Sequence, residues 1–307
     1  MTDDNEYAPS AMLDIRGSAE ARGKGPRGRG IWISFNRHST IDVENAVLVE
    51  QAQRAGFGWL CAKIGDDGRS TRWLGRGVDL IRRCKDAGLG IFTWNYSKPG
   101  TWQTQAAAIA QVIADGSEGH VIDAETEWEW VPNTVDHEFS QVDRRADAVA
   151  FADRLRTLVG DAWLAHAPIW RPQSHQGFPF AEFGARVDAV LPQAYWCAAG
   201  QNVASFCARL EDAWRALATA HPEAVPMLMP IGLTYGAGDQ AGDLWTSDPR
   251  SVRLTEDDLR AFSARYPTCS FFSWDVATST FWQTMNALRD ERAPDTVPAP
   301  PSVPDPS

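Results

Sequence analysis

The stretch His120-Val-Ile-Asp-Ala-Glu125 sets the reading of this chain. A short apolar run leads straight into two carboxylates spaced two apart. The run is too short for a helix and reads as a strand. On a strand, residues i and i+2 share a face, so Asp123 and Glu125 rise together from its end. Seven further short runs have the same look: Ile31–Phe35, Trp59–Ile64, Gly90–Trp94, Trp163–His166, Ala189–Tyr195, Met227–Gly232 and Ser270–Trp274. Between them lie longer stretches with apolar residues at helical spacing. Val43–Ala55 stops at Gly56, and Val78–Ala87 stops at Gly88, as helices ending on a left-handed glycine do. Thr255-Glu-Asp-Asp opens a helix with a hydroxyl cap and acids in its first turn. Asp143–Leu158, Val203–Ala220 and Phe281–Arg289 continue the series.

Eight strands alternating with helices make a parallel sheet with crossover helices. An open doubly wound sheet and a closed (β/α)₈ TIM barrel share that alternation. The count of eight favours the barrel. So does the placing of Gly28-Arg-Gly30 before the first strand, where it cannot be a phosphate-binding turn after it. The expected fold is α/β, a single-domain (β/α)₈ barrel over residues 30–292.

The ends read differently. Residues 1–29 lack hydrophobic periodicity and close on a basic, glycine-rich run, a flexible polar leader. Residues 293–307 hold six prolines, a tail or a linker to a further domain or partner. Trimming both is expected to cost little stability. Of the 307 residues, 44% are hydrophobic, enough for a large core, and the net charge is −11. A surface so acidic repels phosphate backbones, which argues against nucleic acid as a partner. No apolar run reaches the roughly 20 residues that cross a bilayer, so no membrane partner is expected. Met1–Ser10 is acidic and polar and does not have a secretory signal's pattern, which makes the cytoplasm the default location. Five scattered cysteines without a CxxC imply neither a disulfide framework nor a zinc site.

In a (β/α)₈ barrel the active site gathers at the C-terminal strand ends. The strongest candidates there are Asp123 and Glu125. Two close carboxylates cannot both ionise cheaply, so one holds its proton beside an anion, the pairing that glycosidic bond cleavage uses. Glu127 and Glu129 read as the start of a solvated loop. Trp94, Trp196 and Trp274 lie at strand ends and offer indole faces that can stack on sugars or pack the core. Lys63 would orient a substrate oxygen or pair with Asp123. Gln193 and Tyr195 share one face of strand six, and Asp275 is a third acid or a helix cap. His38 and His166 lack companions at metal-ligand spacing. No metal and no cofactor is called for.

These strand ends resemble those of the family 25 glycoside hydrolases, the lysozyme-type muramidases, and more loosely other D-x-E barrels such as chitinases. Ile122-Asp-Ala-Glu125 is similar to the family's fourth-strand acidic motif, and Cys61-Ala-Lys63-Ile-Gly-Asp-Asp-Gly68 to its second-strand Lys and acidic turn. Leu191-Pro-Gln-Ala-Tyr-Trp196 and Phe272-Ser-Trp-Asp275 are similar to its sixth and last strand ends. The resemblance implies a glycan substrate, peptidoglycan first, with Glu125 as general acid and Asp123 tuning it. It also implies Gln193 or Tyr195 at an N-acetyl group, and delivery to the cell wall by a route other than a signal peptide. The family's first strand usually carries an Asp in G-[IV]-D-[VI]-S, whereas this one reads Gly30-Ile-Trp-Ile-Ser34. That departure keeps open an alternative, a non-catalytic glycan-binding barrel within a larger assembly.

Overall fold

A computed structural model of the protein describes residues 25–35, 43–66, 69, 71–132, 139–239 and 250–291. The eight expected strands form as β1 (Arg29–Ile33), β2 (Trp59–Gly65), β3 (Gly90–Ser97), β4 (Gly119–Ala124), β5 (Trp163–His166), β6 (Ala189–Val190), β7 (Ile231–Leu233) and β8 (Cys269–Phe272). All are parallel, in the order β6-β5-β4-β3-β2-β1-β8-β7. Bridges between Val190 and Leu228 and between Gln193 and Ile231 join β6 to the approach to β7 and close the barrel. Strands six and seven are shorter than expected because Pro192 and Pro230 have no N–H to give the ladder. The chain belongs to the (β/α)₈ TIM-barrel architecture.

A helix follows each strand: α1 (Asn45–Arg54), α2 (Thr71–Asp86), α3 (Trp102–Ala114), α4 (Arg145–Val159), α5 (Phe180–Gly184), α6 (Val203–Ala220), α7 (Glu256–Arg265) and α8 (Ser279–Asp290). Their ends follow local chemistry. Gly56 and Gly88 take φ of 68° and 71° after α1 and α2. Thr255 and Asp258 form a reciprocal capping box on α7, and Thr278 caps α8. A short hairpin, Trp130–Pro132 with Phe139–Gln141, rises after β4.

Strand alternation sorts the core into two layers. Outward residues such as Ile31, Leu60, Ile122 and Leu164 pack under the helices. Inward residues fill the barrel with aromatic rings. At its base Trp59, Phe92 and Trp163 meet edge to face, with centroids 5.6 Å and 5.1 Å apart. Above them Trp32 lies 5.2 Å from Trp94, and both approach Phe272. Such contacts each add about 1 kcal/mol beyond the area they bury. Gly30 is required by this filling, since a Cβ there would sit 2.1 Å from the Trp59 ring.

The leader boundary needs correction. Arg29 is the first residue of β1 and is buried, with Nη1 donating to Met285 Sδ at 3.6 Å, and the Gly28 carbonyl accepts from Trp59 Nε1. Residues 25–29 are therefore part of the barrel base, and trimming through 29 would remove buried structure. Residues 1–24 and 292–307, which hold the rest of the leader and the Pro-rich tail, lie outside the described residues, as does His38. Among the described residues no helix is long and apolar enough to cross a membrane. All five cysteines are buried free thiols.

Two predictions follow from this packing. Gly30→Ala overfills the barrel base and should lower stability by about 1–3 kcal/mol, read as a fall in Tm. The second concerns His120 and His166, both buried on the outer face of the sheet, where burial lowers their pKa to about 3. His120 is held by Thr93 and Asn95, while neither ring nitrogen of His166 finds a partner among the described residues. The unfolded chain takes up protons on both from pH ~6.5 downward, so the stability they allow is complete above that pH and is lost as pH falls toward 3. His166→Phe should remove roughly 2 kcal/mol of the loss between pH 8 and pH 5, measured by urea denaturation at the two pH values.

Candidate active site

Asp123 and Glu125 leave β4 on its inward face, at the C-terminal mouth, as the two-residue spacing requires. Asp123 is buried and Glu125 half-buried. Gln193, on the β6 side of the mouth, ties them together. Its Nε2 donates to Asp123 Oδ1 at 3.2 Å and to Glu125 Oε1 at 2.7 Å. Above Trp163, the strand between them, β5, offers inward only Ala165 and, one residue past its end, Ala167, and small side chains there let Gln193 reach across.

Burial is the main reason that both carboxyls hold their protons above the ordinary carboxylate range. For Asp123 the neighbouring Glu125 charge adds to this, against Lys63 and the Gln193 hydrogen bond. For Glu125 the Gln193 bond opposes the rise and the Glu127 charge adds to it. Tyr195 stands half-buried at the same wall, its ring 6.3 Å from Phe272. Burial, then the charge of Asp123, raises its phenol. Lys63 is inward on β2, but its Nζ pairs with Asp66 at 2.7 Å and lies 4.9 Å over the Trp94 ring. It acts on Asp123 through space and not as a direct ion pair.

The other predicted residues separate from this group. Trp196 is fully buried on the outer layer against Phe262, 5.0 Å between centroids, so it has no face for a sugar. It points outward because it follows inward Tyr195 by one. Trp94 is 3% exposed and donates to the Ile33 carbonyl, which makes it the floor under the mouth and not an open platform. Trp274 packs edge-on against Trp282 of α8 and is likewise buried. Asp275 neither joins the acidic pair nor caps α8. Its Oδ2 accepts from the Ser34 amide at 2.8 Å and fastens the end of β8 to the end of β1, across the barrel from β4.

The acids after Glu125 are not a solvated loop. Glu127 accepts from the Tyr96 hydroxyl at 2.5 Å. Glu129 is buried and accepts from His175 Nδ1 at 2.9 Å, Gly177 N at 3.0 Å and Gln141 Nε2 at 3.3 Å, locking the hairpin to the loop after β5. Tyr96, two residues beyond Trp94 on β3, carries the parity signal that would have placed it here, whereas Glu127 lies in the turn past β4, where strand parity no longer applies.

No protein-family model matches this sequence, and no curated protein is similar to it. Solved structures share its fold. A class V chitinase from Pseudomonas fluorescens aligns with a TM-score of 0.56 at 14% identity, over 86% of this chain and 99% of that one. An N-acetylglucosaminidase of glycoside hydrolase family 18 from Paenibacillus barengoltzii aligns at 0.55 and 12%, over 85% and 99%. The spore cortex-lytic enzyme SleL of Bacillus megaterium aligns at 0.55 and 10%, over 85% and 74%. At such identities the likeness establishes the barrel.

Gln193→Leu removes the one amide that serves both carboxylates. Raised pKa values mean that the fold carries a cost above the folded pKa of the pair, and that this cost vanishes below the unfolded value near 4. Loss of the amide raises the cost further. The variant should lose about 1.5–3 kcal/mol at pH 7, and clearly less at pH 4, when unfolding is followed at both.

Proposed function

We propose that the protein is a glycoside hydrolase that works by carboxylate acid/base chemistry, with Glu125 as the acid. The observation that carries this reading is the buried Asp123–Glu125 pair held by one Gln193 amide at the barrel mouth. Glu125 keeps its proton because burial and the Glu127 charge favour the neutral form. That proton passes to the glycosidic oxygen as the bond from the anomeric carbon to that oxygen breaks. Positive charge then builds on the sugar, and the Glu125 anion left by that transfer offsets part of it, beside an Asp123 whose neutral form burial and the Glu125 charge favour. Water attacks the anomeric carbon and returns a proton to Glu125, which closes the cycle.

The polar groups around the pair favour an N-acetylated sugar. An acetamido oxygen can attack the anomeric carbon from within the substrate, which spares the protein a carboxylate on the opposite face. The Tyr195 phenol, close enough to the pair to feel the charges of Asp123 and Glu125, suits an acetamido group. Peptidoglycan is the first choice of substrate, on the resemblance of the strand ends, and chitin-like polymers the second, in line with the chitinase among the aligned proteins. A role in the cell wall requires delivery there.

One observation favours the second reading, a barrel that binds glycan without cutting it. In β1 the inward residue between Gly30 and Ser34 is Trp32, whose Nε1 donates to Ser270 Oγ at 2.9 Å. It stands where the lysozyme-type family usually carries an Asp.

Glu125→Gln separates the two readings. On a panel of peptidoglycan, chitin oligosaccharides and β-mannan, the wild type should release reducing ends and the variant should lose at least about 10²-fold in rate. Because the variant removes a carboxylate from a site that disfavours its charge, its stability at pH 7 should equal or exceed that of the wild type. Full activity in the variant would remove Glu125 from the role of acid. A wild type that binds glycan on the panel and cuts none would establish the binding barrel.

A further inference from the structure

We propose that the groove between α5 and α6, on the outer wall of the barrel, is the docking site for the Pro-rich segment of this same chain, residues 299–304, with Asp305 set against Arg171 and Arg209. The inference goes beyond the reading of the mouth and does not depend on it.

The groove exists because α5 is cut short. Its five residues, Phe180–Gly184, stand beside the 18 of α6, Val203–Ala220. Ala213, Ala216 and Ala220 repeat at helical spacing along α6 and line a groove of about 420 Å³. Ala216 and Ala220 are exposed, and an alanine has nothing with which to fill the space. The facing wall carries Pro172, Phe178 and Phe180. The two phenyl rings lie 4.5 Å apart, and Trp214 braces Phe180 edge-on. An aromatic- and proline-lined groove of this kind suits a polyproline segment, whose ordering costs little because its shape is preformed.

The mouth end of the groove is cationic. Arg171 precedes Pro172, and Arg209 continues the alanine stripe one turn above Ala213. Their guanidinium carbons lie 5.3 Å and 5.4 Å from the ring centroid of Trp170, one residue past the bridge between Ile169 and Gln193. Both arginines are exposed, and neither meets a carboxylate among the described residues; Arg209 gives one hydrogen bond to Gln201 Oε1. Arg145, on the α4 side, is already shared between Asp143 and Glu182. The free positive charge therefore sits at one end of the groove, on a chain whose net charge is −11.

The Pro-rich segment fits in composition and in reach. Residues 293–307 hold six prolines, Asp295 and Asp305, and no Lys or Arg. Helix α8 ends at the barrel base, where Arg289 packs on Gly56 ahead of β2. Glu291 pairs with Arg260 at 2.7 Å, so the chain leaves on the α7 side. Arg265 of α7 is tied in turn to Glu211 of α6 at 2.7 Å. The foot of the groove is Ala220 and His221, at the C-terminal end of α6. Passing from α8 across α7 to α6 covers two interaxial spacings, roughly 16–20 Å, and residues 292–299 span about 25 Å as polyproline. Residues 300–305 then span about 19 Å, against about 17 Å of α6 from Ala220 up to Arg209. When residue 299 stands at the foot, Asp305 arrives at the arginines.

A second exposed apolar patch competes for the same segment: Val47 on α1 with Leu74 and Val78 on α2. It lies on helices and offers no groove, and the nearby Arg82 and Arg83 are paired with Asp79. The test tells the two surfaces apart in the full chain. The five native cysteines are buried, so Ser302→Cys supplies the one accessible thiol for a nitroxide label. Methyl resonances are compared by NMR before and after the label is reduced. Those of Ala213, Ala216 and Ala220 should lose most of their intensity to the label, and those of Val47, Leu74 and Val78 should keep theirs. Ala216→Glu fills the groove at an exposed helical position and adds a like charge, so the loss at Ala213 and Ala220 should disappear. If that variant does not fold, Arg171→Glu with Arg209→Glu should weaken the loss instead. Unbroadened groove methyls in the labelled chain overturn the proposal, and so does broadening at the α1–α2 patch in their place. A mixture of nitroxide-bearing chain with isotope-labelled chain free of nitroxide should show sharp groove methyls. Broadening there gives the groove to a second copy and overturns docking within one chain.

Discussion

The Gln193 side-chain amide reaches two carboxylates at once, and the chemistry of the mouth depends on that contact. A buried carboxylate without donors would be costly, and two side by side would repel. One amide nitrogen donating to both Asp123 and Glu125 lowers that cost without cancelling it, so both groups remain proton-hungry. The contact needs three conditions from the chain. Asp123 and Glu125 must alternate at the end of β4, Gln193 must face inward beyond β6, and the mouth end of β5 must present only alanine between them. A bulkier residue than Ala167 would separate the partners.

The floor beneath this pair is the other requirement. Most (β/α)₈ barrels fill their interior with branched aliphatic layers, whereas here Trp32, Trp59, Trp94, Trp163, Phe92 and Phe272 fill it. Large rings pack a barrel with few residues, but each indole brings an N–H that wants a partner. Trp32 gives its N–H to Ser270, Trp94 to the Ile33 carbonyl and Trp59 to the Gly28 carbonyl. Those three rings are thereby held in one orientation and exclude water from below, while the buried Trp163 N–H finds no partner among the described residues. That exclusion is what makes burial the first cause of the raised proton affinity at Asp123 and Glu125.

The sequence disclosed the barrel because eight strand-like runs are separated by stretches of which six carry a helical period, and because glycines close α1 and α2. It disclosed the acidic pair because a period of two carries Asp123 and Glu125 to one face. Helix α3 lay in plain view as Gln105-Ala-Ala-Ala-Ile-Ala-Gln111, a run of the strongest helix former, yet its few charges gave it no amphipathic contrast to detect. The tryptophans misled for a different reason. An indole at a strand end serves a sugar or a core equally well in sequence, and only parity decides. Trp94 is inward and Trp196 outward, and the layer above or below each then buries it. Glu129 looked solvated because its partners, His175 and Gly177, are nearly fifty residues away, a distance that no local pattern records.

Two sets of buried titratable groups give this fold opposing responses to acid. His120 and His166 favour the neutral form that prevails at higher pH, while Asp123 and Glu125 favour the neutral form that prevails at lower pH. Between pH ~6.5 and ~4 the first pair therefore withdraws stability as the second returns it. The histidines lie on the outer face of the sheet and the carboxylates on the inner one, and among the described residues no hydrogen bond joins a histidine directly to either carboxylate. Groups without shared partners contribute nearly additively. It follows that the proton affinity of the mouth is free to be set by its own neighbours, Gln193, Lys63 and Glu127, without the outer layer retuning it. A site of this kind can hold a proton near neutrality on a barrel whose overall acid tolerance is decided elsewhere.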